Sequence, residues 1–315
     1  MDNKAQGGGD GLIRTLVAQP YLLLVLAPTF WGGNMVASKL AVGEIDPFLF
    51  LVFRWVGAVL LLLPFVVPAL RRDWPKISGS LLWLCLYGAL GFAGFNMLIY
   101  GAAHFTAAVN ISIEQAAIPV MVLSGNFIVF RVRARLLQIV GLVFTIAGVV
   151  WVVTHGEPQR LVDLSINIGD GMVLLAALLY AVYSLTLRYR PNIHWLSFMF
   201  VTSVAALLAS VLFLFAFGGG MATLVAGLAE TTLIGWGAVA YVMLFPSIIA
   251  QLCYARGVEI VGPNRASLFI NLLPITGTVL SVLVLGEHLE PFHLLAAALV
   301  VVGITLSEHA MRARP

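Results

Sequence analysis

Long apolar runs, separated by short breaks of polar residues, glycine and proline, follow one another along almost the whole chain. Each run is close to the roughly 20 residues that an α-helix needs to cross a bilayer. Strands of a membrane β-barrel would alternate apolar and polar residues with a period of two, and these runs do not. The pattern therefore predicts an all-α integral membrane protein with ten transmembrane helices. These helices are expected at residues 20–40, 47–70, 80–103, 107–130, 135–154, 169–188, 195–217, 231–256, 264–285 and 290–309.

The composition leads to the same class of protein. Of the 315 residues, 61% are hydrophobic and 10% are charged, and the mean hydropathy is +1.02. A soluble domain is roughly half apolar and about a quarter charged, so a water-soluble globule is excluded. Cys85 and Cys253 both lie within apolar runs and are expected to pack there. Neither a metal site nor a cofactor is expected.

The basic residues indicate an orientation in the membrane. With the N-terminus assigned to the cytoplasm, fourteen of the 17 Lys and Arg residues fall on the cytoplasmic side, and only Lys39 and Arg160 fall outside. Arg54 remains within a span. Cytoplasmic loops of membrane proteins carry such an excess, so we expect a multi-pass protein of the cell inner (cytoplasmic) membrane with both termini cytoplasmic. The scattered basic positions do not favour a nucleic-acid partner.

The two halves of the chain resemble each other. A shift of 155 residues superimposes Pro119 on Pro274 and Gly148 on Gly303. Because each half has five predicted helices, an odd number, equivalent segments would lie on opposite sides of the membrane, as in an inverted repeat. The predicted organisation is a cytoplasmic tail at 1–19, a first repeat at 20–154, an extracytoplasmic linker at 155–168, a second repeat at 169–309 and a tail at 310–315.

Polar and aromatic residues in the middle of the predicted helices are candidates for a transport pathway, because polar groups in hydrocarbon must pair or face water. Tyr and Trp combine an apolar ring with a polar tip, a lining suited to small amphipathic solutes such as aromatic amino acids. Alternatively, each polar residue hydrogen-bonds a neighbouring helix, which contributes about 1 kcal/mol. The predicted substrate-binding residues are Trp31, Asn34, Asn96, Tyr100, Gln115, Tyr180, Tyr183, Ser247, Gln251, Tyr254 and Asn271.

Two ionisable residues, Arg54 and Glu114, lie within predicted spans. Each is about seven residues from the outer end of its helix and therefore about 10 Å deep. They could form an ion pair that fixes the second and fourth helices. Alternatively, Glu114 faces the cavity and binds a substrate ammonium group or a coupling proton.

Helix-breaking residues occur at related positions of the two halves and are candidate hinges. A proline removes a backbone hydrogen bond and frees a carbonyl, which is tolerable where the helix faces a cavity. The alternative is a static kink that serves packing. The candidate hinge residues are Gly91, Gly94, Pro119, Pro246 and Pro274.

Several segments resemble the drug/metabolite transporter superfamily, specifically its EamA-type repeats. They are Thr29-Phe30-Trp31-Gly32-Gly33-Asn34, Leu285-Gly286-Glu287-His288-Leu289-Glu290, Gly303, Pro274 and Tyr254-Ala255. The resemblance implies a basket in which predicted helices 1, 3, 4, 6, 8 and 9 surround a central cavity, with export by alternating access. Within the superfamily the chain most resembles bacterial exporters of amino acids, aromatic ones in particular. The first half departs from the pattern, having Arg131-Val132-Arg133 where the family often carries Gly-Glu.

The sequence thus predicts a secondary transporter, not an enzyme, that exports aromatic or other neutral amino acids and related small metabolites and acts as a monomer. One alternative is a transporter of another substrate class of the superfamily, such as cationic drugs, nucleotide sugars or sugar phosphates. A channel or an intramembrane enzyme is the alternative from another class. The sequence contains no His-Glu-x-x-His motif and no glycine-rich phosphate loop with lysine, which argues against an enzyme.

Overall fold

Helices make up the regular structure of the chain. The computed structural model describes residues 19–131, 135–157, 159, 167–262, 266 and 269–312. Most of the predicted 1–19 tail, most of the predicted 155–168 linker and residues 313–315 lie outside this part. The helices are α1 (Pro20–Leu40), α2 (Pro47–Ser78), α3 (Leu81–Ala102), α4 (Ala108–Phe130), α5 (Leu136–Val153), α6 (Ile168–Tyr189), α7 (Trp195–Phe217), α8 (Met221–Glu230), α9 (Leu233–Val261), α10 (Leu273–Leu285) and α11 (Pro291–Arg312). The described residues contain no β-strand.

The length and apolarity of these helices confirm the predicted all-α membrane class. Eight of the described helices, α1 to α7 and α9, are long and apolar enough to cross a membrane. Three further apolar helices are shorter: α8, α10 and the Pro291–Ser307 part of α11. Large apolar side chains such as Phe65, Leu82 and Leu283 are at least 70% exposed, which is expected where the surroundings are lipid.

The structure differs from the predicted helix pattern at the end of α2 and in the break that contains α8. The second helix continues from the predicted end at residue 70 to Ser78. Its last turns stay helical because Asp73, which is buried, accepts hydrogen bonds from the His194 backbone N–H at 2.7 Å and the Ser197 hydroxyl at 2.8 Å. Helix α8 forms within the predicted break at 218–230, since ten residues are too few to register as a span.

Side-chain contacts group the helix ends into two ends of the bundle. At the end where α1 finishes, the Lys39 ammonium donates to the Ala103 carbonyl at 2.9 Å and to the Thr106 carbonyl at 3.0 Å, between α3 and α4. At the opposite end the Tyr21 ring lies 6.0 Å from the Phe269 ring. We call these the Leu40 end and the Pro20 end.

Helices α5 and α11 pack closely along a stripe of small residues. A Cβ atom added to Gly303 would lie 2.5 Å from the Gly141 carbonyl oxygen, and one added to Gly148 would lie 2.8 Å from the Ala296 carbonyl oxygen. Small residues allow such backbone contact between membrane helices. Both helices also contact α4.

Candidate hinge residues in both halves fall in irregular helix segments. The π-helical segment Tyr87–Gly94 in α3 contains Gly91 and Gly94, and the π-helical segment Phe245–Ile249 in α9 contains Pro246. Such segments carry an extra residue per turn and occur frequently at functional sites. Gly91 also has a packing role, because a Cβ there would lie 2.5 Å from the Tyr183 ring. Movement at these segments stays a prediction.

The remaining two hinge candidates follow helix breaks. In α4, a turn at Gln115 and Ala116 precedes Pro119, and a turn at Asn271 and Leu272 precedes Pro274 at the start of α10. Proline has no N–H for the carbonyl four residues earlier, which explains both breaks. The helices also end alike, since Arg131 and Gly286 both adopt positive φ, at 54° and 67°.

Candidate functional site

The guanidinium group of Arg54 is at the centre of a buried polar network that joins four helices. Its Nε donates to Ser247 Oγ at 2.8 Å. Its Nη1 lies 2.9 Å from Asn34 Oδ1, 2.7 Å from Asn96 Oδ1 and 2.5 Å from Tyr100 Oη. All five residues are at most 6% exposed. We call these five residues the Arg54 network.

Local helix geometry presents the members of this network. Asn96 and Tyr100 are four residues apart and therefore share a face of α3. The Asn96 amide donates to the Phe92 carbonyl at 2.7 Å, which fixes its oxygen toward Arg54. Ser247 lies in the π-helical segment of α9, and its hydroxyl donates to the Val242 carbonyl at 2.7 Å. Pro246 cannot supply an N–H to that carbonyl.

Arg54 does not pair with Glu114, so the predicted ion pair between α2 and α4 was wrong. No described carboxylate lies within ion-pair distance of Arg54. Its partners are neutral, and its Nη2 makes no hydrogen bond to a described residue. A buried charge normally requires a partner of opposite charge. The network therefore holds a buried positive charge that remains available to an anion.

Glu114 is fully buried and faces Asp170 on α6 instead. Arg54 and Glu114 both lie about seven residues into their helices, but the rotation of each helix about its axis separates them. Arg54 faces α1, α3 and α9, whereas Glu114 faces the first turn of α6. The second interpretation of Glu114, as a coupling residue, stays a prediction.

Aromatic residues form a second group, which we call the aromatic lining and which consists of Trp31, Tyr180, Tyr183 and Tyr254. The Trp31 and Tyr254 ring centroids are 5.6 Å apart, and those of Tyr180 and Tyr183 are 5.3 Å apart. Tyr180 lies close enough to Tyr254 to interact with it electrostatically. Trp31, Tyr180 and Tyr254 are only partly buried. These rings bring together α1, α6 and α9.

The aromatic lining adjoins the Arg54 network on the side of the Pro20 end. Trp31 Nε1 donates to the Pro246 carbonyl at 3.1 Å, next to Ser247. Trp31 is nine residues from the end of α1 at Leu40, about 14 Å, whereas Asn34 is six residues from it, about 9 Å. Gln251 lies three residues before Tyr254, is partly buried, and its amide makes no hydrogen bond to a described residue. A polar network and an aromatic surface are thus continuous.

Two predicted binding residues lie apart from these groups. The Gln115 amide donates to Met35 Sδ at 3.0 Å and to the Ile111 carbonyl at 3.3 Å, between α4 and α1. Asn271 borders a mainly apolar cavity of about 300 Å³ between α4, α10 and α11. Whether either residue contacts a substrate stays a prediction.

A family comparison covers both halves of the chain. A model of the EamA-like transporter family matches residues 19–154 and, a second time, residues 167–308. The chain belongs to the EamA-like transporter family. The superfamily resemblance noted from Trp31, Pro274 and the Gly286-Glu287 segment is thereby confirmed.

Relatives of this EamA-like transporter include named transporters of similar length. A protein of Bacillus subtilis (strain 168) named uncharacterized transporter YyaM is 23% identical over 298 residues, which cover 93% of this chain and 94% of the relative. A protein of Escherichia coli (strain K12) named uncharacterized inner membrane transporter YedA is 27% identical over 293 residues, covering 90% of each. A solved crystal structure matches with a TM-score of 0.61 at 17% identity, over 94% of this chain and 99% of that one. This last likeness shows the fold alone.

Sequence reasoning missed a cluster of ionisable residues at the Leu40 end of this EamA-like transporter. His155 Nε2 lies 3.9 Å from Asp170 Oδ2. His293 Nδ1 accepts a hydrogen bond from the Glu290 backbone N–H, so its Nε2 carries the proton and donates to Asn110 Oδ1 at 2.9 Å. In sequence these residues adjoin helix ends, where a surface role was the simpler expectation.

Glu287 provides a further contact at this end. Its two carboxylate oxygens accept hydrogen bonds from the Ala108 and Val109 backbone N–H groups, each at 2.9 Å. The first N–H groups of a helix lack partners within the helix and favour negative charge. The Gly286-Glu287 pair therefore has a physical role: Gly286 adopts the left-handed turn, and Glu287 caps α4 from the second half of the chain.

Proposed function

We propose that this protein is a secondary transporter that exports aromatic or other neutral amino acids and related small metabolites by alternating access. In this proposal two five-helix halves of inverted topology rock around the Arg54 network and the aromatic lining. The family supports the transporter class. The paired π-helical segments, the paired breaks before Pro119 and Pro274, and the matching ends at Arg131 and Gly286 support two related halves.

The substrate class rests on one observation, the unpaired buried charge of Arg54 beside the aromatic lining. An amino acid carries a carboxylate, which can accept hydrogen bonds from a guanidinium group, and charge-assisted bonds of this kind are the strong ones. Its side chain would then lie against Trp31 and Tyr254, whose rings offer a large apolar surface. The same arrangement would suit other small solutes that carry an anionic group on an apolar body.

Differences in burial support a state that is closed at the Leu40 end. The Arg54 network is buried, whereas most of the aromatic lining, nearer the Pro20 end, is partly exposed. The described basic residues in loops and near helix ends lie mainly at the Pro20 end, among them Arg71 and Lys76 in the last turns of α2 and Arg190 after α6. By the positive-inside rule we assign that end to the cytoplasm. In this orientation the proposed transporter lies in the cell inner membrane and accepts substrate from the cytoplasm. We propose that it works as a monomer.

Counterflow with the purified protein in liposomes tests this proposal. Vesicles loaded with one unlabelled compound are diluted into the same compound in labelled form, and saturable uptake above protein-free vesicles identifies a substrate. The panel contains aromatic, aliphatic and polar amino acids, a sugar phosphate, a nucleotide sugar and a quaternary ammonium compound. We expect counterflow of aromatic or other neutral amino acids.

A matched pair of variants tests the role of the guanidinium group. Arg54→Met removes the charge at similar length, and we expect loss of a charge-assisted bond to lower substrate affinity about 10- to 100-fold. Arg256→Met serves as the control, because Arg256 lies at the Pro20 end and is 49% exposed at its side chain. Counterflow restricted to the sugar phosphate, the nucleotide sugar or the cation would overturn amino-acid export. Flux that never saturates would indicate a channel.

A further inference from the structure

Two carboxyl groups, those of Glu114 and Asp170, are enclosed together between α4 and α6. Both residues are 0% exposed. None of their four carboxyl oxygens makes a hydrogen bond of ordinary geometry to a described residue, although the Thr106 side chain lies close enough to Asp170 to interact with it. The two groups lie close enough to interact with each other directly. Buried acceptors without donors are rare in folded proteins, because each one left unpaired costs about 1 to 3 kcal/mol, more if charged.

A proton resolves this arrangement. Two ionised carboxylates can only accept hydrogen bonds, so neither can bond the other. Once one of them is protonated, it becomes a donor, and the pair can form a hydrogen bond between α4 and α6. Two carboxyl groups that share one buried site cannot both remain charged. The N-terminus of α6 favours negative charge on Asp170, which leaves the proton to Glu114.

His155 connects this pair to the Leu40 end. Its Nε2 lies 3.9 Å from Asp170 Oδ2, and its side chain is 33% exposed, whereas that of Asp170 is fully buried. The imidazole borders a cavity of about 340 Å³ that exposed residues of the α10–α11 connection also line. His155 adopts positive φ (52°) two residues after the end of α5, and its ring lies 5.5 Å from that of Phe292 of α11.

Other charged groups around the pair already have partners or face outward. From α1, Lys39 binds two backbone carbonyls, and beyond α10, Glu287 caps α4. From α11, His293 is held by Asn110 and the Glu290 backbone. His104, His288 and Glu290 are exposed at the Leu40 end. None of these bonds supplies a cation to Glu114.

We propose that Glu114 and Asp170 form a proton-binding site, reached from the Leu40 end through His155, that couples transport to the proton gradient. The coupling part rests on the function proposed above, whereas proton binding by the pair does not. A proton from cavity water binds the imidazole of His155. The imidazole then gives its Nε2 proton to Asp170 Oδ2 and returns to its neutral form, and Asp170 shares the proton with Glu114. One water molecule or a small ring rotation spans the 3.9 Å.

The site would act on the joint between α4 and α6. With the proton present, the carboxyl pair bonds the two helices and keeps the Leu40 end closed. When the proton leaves, two negative charges in a low-dielectric environment repel each other and separate the first turns of α4 and α6. In the proposed cycle the pair takes up its proton through His155 while the Leu40 end is open and releases it toward the Pro20 end while that end is open. Each proton then crosses the membrane inward as substrate moves outward, so a proton gradient could drive export.

Infrared spectroscopy of the protein in lipid tests proton binding directly and needs no substrate. We expect a carbonyl band of a protonated carboxyl group in a non-aqueous environment that persists at neutral pH. Glu114→Gln should remove it, whereas Glu114→Asp, which keeps a carboxyl group, should retain a shifted band. Glu230→Gln, at an exposed position on α8, should leave it unchanged. A wild-type protein without such a band, or a band unaffected by Glu114→Gln and Asp170→Asn, would overturn the site.

Transport in liposomes tests coupling. With an imposed proton gradient, the wild type should accumulate a substrate found by counterflow, and Glu114→Gln and Asp170→Asn should lose accumulation while retaining counterflow. His155→Asn, which tolerates positive φ, should slow proton entry and leave the infrared band. Accumulation driven by a sodium gradient, or unchanged in Glu114→Gln, would overturn proton coupling. Absence of any wild-type counterflow would instead contradict the proposed function, and the infrared result would stand separately.

Discussion

Arg54 Nε donates a 2.8 Å hydrogen bond to Ser247 Oγ and thereby connects α2 to the π-helical segment of α9. The same hydroxyl donates to the Val242 carbonyl, for which Pro246 has no N–H. The Ser247 side chain thus has two roles. It donates to a backbone carbonyl that the irregular helix leaves without a partner, and it accepts a hydrogen bond from Arg54, a buried cation that no described carboxylate neutralises. Disturbing Ser247 should therefore affect both the stability of α9 and the position of the guanidinium group.

Replacing Ser247 by alanine tests this double role. We expect Ser247→Ala to lower the free energy of unfolding by about 1 to 2 kcal/mol more than the same substitution at a serine that has only a local hydrogen bond. The reason is that Ser247→Ala leaves a charged donor, the Arg54 guanidinium group, with one partner fewer. Substrate affinity should fall as well. Ser210→Ala is the matched control, since Ser210 is also buried and bonds only the Ala206 carbonyl of its own helix. Equal losses in thermal unfolding and in affinity for both variants would contradict the double role.

The ring of Trp31 should determine preference among substrates. Aromatic pairs contribute about 0.5 to 1.5 kcal/mol beyond area burial, so Trp31→Leu should lower the ratio of aromatic to aliphatic amino-acid affinity about 3- to 10-fold. Competition in counterflow measures this ratio. Trp83→Leu is the control, because Trp83 is 40% exposed at the Pro20 end and lies beside Tyr189. An unchanged ratio in Trp31→Leu would place the bound substrate elsewhere.

Glu287 should stabilise the first turn of α4. Glu287→Gln removes the negative charge from the N-terminus of α4. We expect the free energy of unfolding to fall by about 1 kcal/mol and hydrogen exchange at the Ala108 and Val109 amides to become faster. Hydrogen exchange followed by mass spectrometry measures the effect. Glu259→Gln, which breaks an exposed pair with Arg256, should cost about 0.5 kcal/mol or less. If α4 exchanged at the same rate in both variants, the cap would contribute nothing.

The contact between α5 and α11 should tolerate no added methyl group. In Gly303→Ala the new Cβ would overlap Thr145 Oγ1 and lie close to the backbone of Gly141, and we expect the free energy of unfolding to fall by about 1 to 3 kcal/mol. Gly237→Ala is the control, since no atom lies within 4 Å of its added Cβ. Gly237→Ala should leave the free energy of unfolding unchanged or raise it by up to about 1 kcal/mol. Thermal unfolding in detergent compares the two, and a smaller loss for Gly303→Ala would contradict the packing.

Much of the fold was readable from apolar run lengths, and the exceptions have physical causes. The predicted limits 20–40 and 195–217 agree with α1 and α7. The predicted ninth helix, 264–285, is interrupted by a turn at Asn271 and Leu272 before α10 begins at Leu273. Proline alone could not reveal this turn, since Pro28 and Pro64 lie inside continuous helices. Neighbouring helices decide whether a freed carbonyl is satisfied or the helix breaks.

The sequence predicted which residues belong to the candidate site better than it predicted which of them contact one another. Depth along a helix follows from residue counting, which put Arg54 and Glu114 at similar levels. Rotation about the helix axis depends on packing with distant segments, and it gave Arg54 neutral partners. Asp170 could not be identified as a partner of Glu114, because an acidic residue in the first turn of a helix is ordinary.

The two π-helical segments also bear on how the chain could be shortened. A wide turn contains one residue more than an α-helix of the same rise, so Tyr87–Gly94 and Phe245–Ile249 each hold spare backbone inside a membrane-spanning helix. Removing that residue would restore regular winding and leave everything beyond it nearly in place, whereas regular winding with the residue kept would turn everything beyond it by roughly a quarter of a revolution. In α9 the part so turned includes Gln251 and Tyr254, so these two side chains depend on the wide turn for their direction.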